Sequence, residues 1–154
     1  MAVNVQLCTD AHDIDWLALR LLLWPASRGE EHRDEMAEFC DSPDRFAQFI
    51  ARDCDGIAVG FVEVALRSDY VSGTETSPVA FLEGIFVRPE FRRRGVARTL
   101  VATAEQWASS VGCSEFASDA AIENASSHSL HAALGFVETE RVVFFRKSLT
   151  HRNT

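Results

Sequence analysis

The residues of this sequence best suited to chemistry are an arginine-rich turn and two carboxylates. Arg92, Arg93 and Arg94 precede Gly95, just after the mostly apolar run Val79 to Val87 and its terminator Arg88-Pro89. This reads as strand, turn and helix. Backbone N–H groups at a helix start lack intrahelical acceptors, and the helix dipole adds positive potential there, so Arg94-Gly95-Val96-Ala97 can hold a phosphate. Gly95 would let the backbone come close to it. A solvated basic face is the plainer reading of an arginine triplet, but its position before Gly95 in a chain of net charge −8 favours a local anion site. Glu83 interrupts the apolar run. A carboxylate there is costly unless hydrogen-bonded, paired or wet, so Glu83 is expected to face a polar cleft; neighbouring backbone could also satisfy it. Asp119, at the end of a short predicted strand, can face the same cleft or cap the segment beyond it.

Other constellations carry less. His128 and His131 stand at i, i+3 with nothing to complete a ligand set, so no metal is expected. No nucleophile elbow or Cys–His arrangement points to a covalent intermediate, so a direct reaction is the simpler mechanism. Cys8, Cys40, Cys54 and Cys113 form no CxxC pair and are expected as thiols. An acidic chain with pI near 5.1 argues against nucleic-acid binding and weakly favours a cationic partner. No apolar run approaches the roughly 20 residues of a membrane span, and MAVNVQLCTDAHD lacks the basic and apolar regions of a secretory signal. The expected location is the cytoplasm, with no membrane partner.

These groups need elements to position them. At 154 residues, 47% hydrophobic and 25% charged, the chain reads as one globular domain over 1–150, with a frayed tail over 151–154. Val3 to Cys8 reads as a strand. Asp10 or Asp13 then caps a helix bearing Ile14, Leu17, Leu21 and Trp24, stopped by Pro25. Arg28 to Asp41 reads as a helix with Met36 and Phe39 inward. Ser42-Pro43 opens another, with Phe46, Phe49 and Ile50 on one face. Ile57 to Leu66 is a strand, Ser68 to Pro78 an exposed loop, and Val79 to Val87 a strand covered on both faces. A stripe of Val96, Leu100, Val101, Ala104, Trp107, Ala108 and Val111 makes the next helix, ended by Gly112. Glu115 to Ser118 is a short strand. A helix from about Ser126 to Leu134 follows, packing Leu130, Ala133 and Leu134 and ended by Gly135. Phe136 to Glu140 and Val142 to Leu149 read as two last strands. The order predicts an α/β sandwich with a mixed sheet.

Arg92-x-x-Gly95-x-Ala97 after an apolar strand resembles the acetyl-coenzyme A signature of the GCN5-related N-acetyltransferases, written Q/R-x-x-G-x-G/A. Asn124, followed by Gly135-Phe136, resembles that family's later helix motif. The stretches LLLWP, SDYVSG, SPVAFLEGIFVRPEFRRRGVA, ASD and LGFVETERVVFFRK, which span most of the chain, resemble the bacterial aminoglycoside 6′-N-acetyltransferases that confer antibiotic resistance. The fold implied is a mostly antiparallel mixed sheet flanked by helices, in a homodimer.

The resemblance also implies roles. The pantetheine arm of acetyl-CoA would lie along Ile85, Phe86 and Val87, whose main chain could stabilise the developing oxyanion. The backbone of Arg93, Arg94, Gly95, Val96, Ala97 and Arg98 would take the pyrophosphate, and Asn124 would touch the cofactor further along. Glu83 would bind the amine or its water, and together Glu83 and Asp119 would attract the polycationic substrate and accept, directly or through water, the proton its 6′-ammonium must lose; Glu140 would be a third acidic contact, and Trp24 and Tyr70 would pack on sugar rings. As a plain reading, Trp24 is a core aromatic ending its helix. Many relatives have a tyrosine seven residues after the motif asparagine as general acid for the thiolate; here that position is His131. Imidazole can donate a proton, but a thiol of pKa near ~8.5 can also leave with little help, and a histidine on a helix surface can be structural. Two alternatives stand beside this reading. One is the same reaction on a polyamine or protein amine, and the other a coenzyme A-binding regulatory module without turnover.

Overall fold

Residues 2–150 are described by a computed structural model. Expected tail residues 151–154 lie outside them. Five strands form one sheet in the order β1-β2-β3-β4-β5: β1 Asn4–Leu7, β2 Phe46–Arg52, β3 Ala58–Arg67, β4 Val79–Val87 and β5 Phe116–Ala117. The first three pairings are antiparallel and β4–β5 is parallel, so the sheet is mixed as expected.

Helix α1, Ile14–Leu23, starts at Asp13, whose carboxylate accepts the N–H groups of Asp15 and Trp16. Helix α2, Gly29–Asp41, buries Met36 as expected. Both lie over one face of the sheet, where Trp16, Leu19 and Met36 pack on Ile50 and Phe61. Helix α3, Val96–Ser110, covers the other face with Val96, Leu100, Val101, Ala104 and Ala108. That is the predicted stripe. Helix α4, Ala125–Ala133, is shallower: Leu130 and Leu134 are half-buried and Ala133 is exposed.

Three expectations are corrected. The helix predicted after Ser42-Pro43 is strand β2. Its apolar residues fit either period over so short a span, and only the pairing of Phe49 with both Leu7 and Val62 decides for the sheet. In α1 the buried face is Trp16, Leu19 and Arg20, whereas Ile14 and Leu21 are exposed. The inward arginine hid the true stripe. The two last strands do not form: residues 136–150 carry no regular structure, and Phe144 and Phe145 are 90% and 93% exposed. Up to Thr139 this segment touches the body. Phe136 packs on Phe116, and Thr139 lies against Gly73 in the loop before β4.

One irregularity in β4 bears on function. Glu63 pairs with Gly84 and Val64 with Leu82, so Glu83 is an extra residue, a β-bulge. Before it Ala80 and Leu82 face α3, and after it Ile85 and Val87 do, although strict alternation would turn those two away.

Candidate active site

The bulge puts Glu83 and Gly84 together on the α1–α2 face. Glu83 is half-buried and accepts two hydrogen bonds from Arg67, at 2.8 Å from Nη2 and 3.3 Å from Nε. The Arg67 guanidinium in turn lies 3.6 Å from the centre of the Phe81 ring. Beside them, Trp24 closes α1 as its C-cap and rests on Gly84 so closely that a Cβ there would stand 2.5 Å from the indole. Trp24, Gly84, Glu83 and Arg67 thus form one wall, polar at one end and aromatic at the other.

Behind this wall the edge of β4 opens. Strand β5 pairs with it only at Ala80 and Phe81. The Arg88 N–H donates to the Val59 carbonyl at 2.8 Å, so by antiparallel alternation Phe86 also bonds toward β3, while Ile85 and Val87 turn their N–H and C=O groups to the open edge. The Val87 carbonyl there accepts Arg92 Nε at 2.8 Å. An extended chain with amide groups could continue the sheet along this edge.

At its end lies the basic turn. Gly95, the N-cap of α3, has φ of 80°, and Arg93, though not glycine, has φ of 62°. Such a backbone at two of three consecutive residues turns the chain tightly into α3. Nothing stands within 4 Å of where a Gly95 Cβ would be, so the space above the helix start is free. Arg92 folds back on the strand and over the Phe86 ring, whereas Arg93, Arg94 and Arg98 are exposed around that start. The residues fit a polyanion approached by backbone N–H groups and ringed by guanidinium charge.

The other predicted residues are distributed unevenly. Asp119 is exposed two residues beyond β5, past the last residue that pairs with β4. Tyr70 is 83% exposed and lines, with Arg45, Arg67 and Asp69, a depression of about 410 Å³. Asn124 caps α4, its Oδ1 accepting the Ser127 N–H, so only its NH₂ group could reach a ligand. His131 is held by its neighbours: Nδ1–H donates to the Ser127 carbonyl at 2.7 Å, and Nε2 accepts the Ser118 hydroxyl at 2.7 Å. Glu140 is exposed in the irregular segment 136–150.

Sequence reasoning missed two features. One is Arg67, the partner of Glu83, for which a lone arginine at a strand end gave no signal. The other is Glu63, which is 1% exposed and bonded to Arg20 and to Trp16 Nε1. The signal used for Glu83, a carboxylate inside an apolar strand, was equally present in GFVEVAL. Burial pushes the Glu63 carboxyl above the usual range, outweighing the attraction of Arg20. Among the described residues no helix is long and apolar enough to cross a membrane, and no group of three or more His, Cys, Asp or Glu could hold a metal.

Residues 16–136 match the Acetyltransferase (GNAT) family. An aminoglycoside N(6′)-acetyltransferase type 1 of Serratia marcescens is 58% identical over 134 residues, which are 87% of this chain and 91% of that protein. The crystal structure of the aminoglycoside 6′-N-acetyltransferase AAC(6′)-Ih from Acinetobacter baumannii superposes with a TM-score of 0.91 at 47% identity, covering 97% of this chain and all of that one, 100%. AAC(6′)-Iy in complex with the bisubstrate analogue CoA-S-monomethyl-acetylneamine superposes with a TM-score of 0.89 at 44% identity, over 97% of this chain and 100% of that one.

Proposed function

The chain belongs to the acetyltransferase (GNAT) family, and from that premise we infer that it transfers an acetyl group from acetyl-CoA to the 6′-amino group of aminoglycosides, the reaction by which bacteria inactivate these antibiotics. The observation that carries the reading is the bulge in β4. It stands Glu83, a carboxylate of the kind that can bind an amine, beside the stretch of the same strand whose backbone edge is open, which supports this reading.

In this reading the pantetheine amides bond the open-edge groups of Ile85 and Val87, and Phe86 serves through its place between them. The pyrophosphate sits on the N–H groups from Arg93 to Arg98, around Gly95. Asn124 contributes its NH₂ group further along the cofactor. A 6′-ammonium group displaces Arg67 from Glu83 and loses its proton, directly or through water, to Glu83 or Asp119. The free amine attacks the thioester carbonyl, whose oxyanion is stabilised by a backbone N–H of the open edge. Collapse breaks the C–S bond and releases the amide and coenzyme A; the thiolate leaves readily and takes up the proton the new amide sheds. His131 can assist through Ser118, a protonated ring passing a proton along that hydroxyl. Trp24 and Tyr70 wall the sugar rings.

The enzyme is proposed to act in the cytoplasm, as a homodimer. Support for the dimer comes from segment 142–149, VVFFRKSL, which has strand-forming composition and exposed apolar side chains that one copy leaves uncovered. A second copy would cover it and bring Glu140 to its working position. Sedimentation should give a dimer, and Phe144→Glu with Phe145→Glu should give monomers. The substrate assignment is tested by coupled thiol release with kanamycin, tobramycin and spermidine. Release with the two antibiotics is expected, and release with spermidine alone would overturn it.

A further inference from the structure

Beneath Trp24 lies a buried polar cluster that touches neither open edge nor turn. The Arg20 side chain, 1% exposed, pairs with Glu63 through Nη1 and with Glu35 through Nη2. Its third donor, Nε, bonds Nδ1 of buried His32 at 3.1 Å. Guanidinium can only donate, so Nδ1 carries no proton there, and the ring proton sits on Nε2. Nε2 therefore donates to the Trp24 carbonyl, 3.1 Å away. The Trp24 indole is engaged from two sides as well. It lies 4.8 Å from Arg20 Cζ, and its ring is stacked on that of His32 at 6.4 Å and 23°.

We propose that Arg20, Glu63 and His32 are positioning residues that fix the Trp24 ring against Gly84, and so set aminoglycoside affinity without touching the substrate. The reasoning is one of cost. An apolar core would hold α1 and α2 to the sheet as well or better, since buried ion pairs are weak stabilisers. What this cluster adds is direction: Arg20 bonds fix the His32 tautomer, the tautomer holds the Trp24 carbonyl, and the cation stands over the indole. At the helix C-cap and followed by Pro25, Trp24 is otherwise held by its N–H to the Arg20 carbonyl at 2.8 Å, by the Ser27 N–H to its own carbonyl at 3.3 Å and by the Phe61 ring at 6.2 Å, none of which fixes the indole from the α1–α2 side. The other end of the wall, Glu83, needs that ring one residue away along β4.

This rests on the reading of Trp24 as a wall of the sugar site, and the experiment separates the two. His32→Phe keeps the ring and the stacking but deletes both hydrogen bonds, and His32→Gln can restore an acceptor for Arg20 and a donor for the carbonyl. We expect His32→Phe to raise the aminoglycoside KM about tenfold and to leave the acetyl-CoA KM within about twofold, with most of the loss recovered in His32→Gln. In 5-fluorotryptophan-labelled protein, the fluorine resonance of Trp24, assigned with Trp24→Phe, should shift or broaden in His32→Phe and return in His32→Gln. Should His32→Phe not fold, Glu35→Gln on the exposed side of Arg20 should move the same resonance. An unmoved Trp24 resonance, or acetyl-CoA and aminoglycoside KM values rising together, overturns the proposal. If Trp24→Ala leaves the aminoglycoside KM unchanged, it is the sugar-wall reading that fails, and the resonance still decides whether the cluster aims Trp24.

Discussion

Glu63 and Glu83 are carboxylates on neighbouring antiparallel strands, one residue out of register, and they have opposite fates. Glu63 is sealed under α1 with Arg20 and Trp16, and burial raises its pKa. Glu83 stands at the opening, half-buried, against a partner that is itself 42% exposed. The first is held at Oε1 by two buried donors and is 1% exposed, and the second is bonded by a group that can swing away. Sequence context alone did not separate them, since each interrupts an apolar strand. The distinction lies in what the other strand and the helices put above each one.

The comparison can be broken from the buried side first. Glu63→Leu strips the buried Arg20 guanidinium of one of its two carboxylates and leaves Nη1 and the Trp16 indole N–H without an acceptor, which should cost about 1–3 kcal/mol for each orphaned donor in denaturant unfolding. Pairing it with Arg20→Met should return most of that stability while the aminoglycoside KM stays high, because the hold on Trp24 is not rebuilt. From the open side the signature reverses. Glu83→Gln should lower aminoglycoside turnover by roughly 10²–10⁴-fold. Unfolding should change by no more than about 1 kcal/mol, and acetyl-CoA affinity should hold. If both glutamate variants lose stability and turnover in the same proportion, the two sites are not distinct.

A control lies outside both carboxylates. Gly95→Val forces a β-branched residue to a φ of 80° and crowds the anion space, so the acetyl-CoA KM should rise about tenfold with little change in that of the aminoglycoside. The effect of pH is smaller. A carboxyl with a raised folded pKa contributes stability below its unfolded value, near 4.5, and loses it as pH climbs through the folded value. The wild type should therefore lose stability relative to Glu63→Gln as pH rises above about 4.5. Glu115, held low by hydrogen bonds from Thr76 and from the backbone of Glu75, works the other way, contributing above that pH and losing below it. Smallest of all, Arg67→Met should free Glu83 and lower the aminoglycoside KM about twofold, by steady-state assay at low ionic strength.

Much of the fold was legible because it obeys simple periods. The α3 stripe, the span of β4 and the turn at Gly95 follow from alternation, helical spacing and glycine chemistry. Helix α1 was misread because Arg20 faces inward, which no apolar template anticipates. Strand β2 was misread as helix because its seven residues cannot distinguish two periods without their partners. The final strands failed differently: their sequence is strand-like, but a strand exists only against another edge, and residues 136–150 pair with none. In the candidate site Glu83 was visible as a misplaced charge. Arg67 was not, because its importance comes from the bulge that brings Glu83 to it, and a bulge has no sequence mark beyond an unremarkable Gly84.

That bulge has a consequence for insertions and deletions. Without Gly84 the ladder between β3 and β4 would run uninterrupted, and the faces of Leu82, Ile85 and Phe86 would all be kept. The residue then set opposite Glu63, however, would be Glu83, a second carboxylate confronting the first across a covered pair of strands. The sheet would be more regular and electrostatically worse. One extra position in β4, which sets Gly84 rather than a second carboxylate opposite Glu63, is what allows two neighbouring strands each to carry a glutamate. A shortened variant would test whether this chain tolerates a better-paired sheet at all.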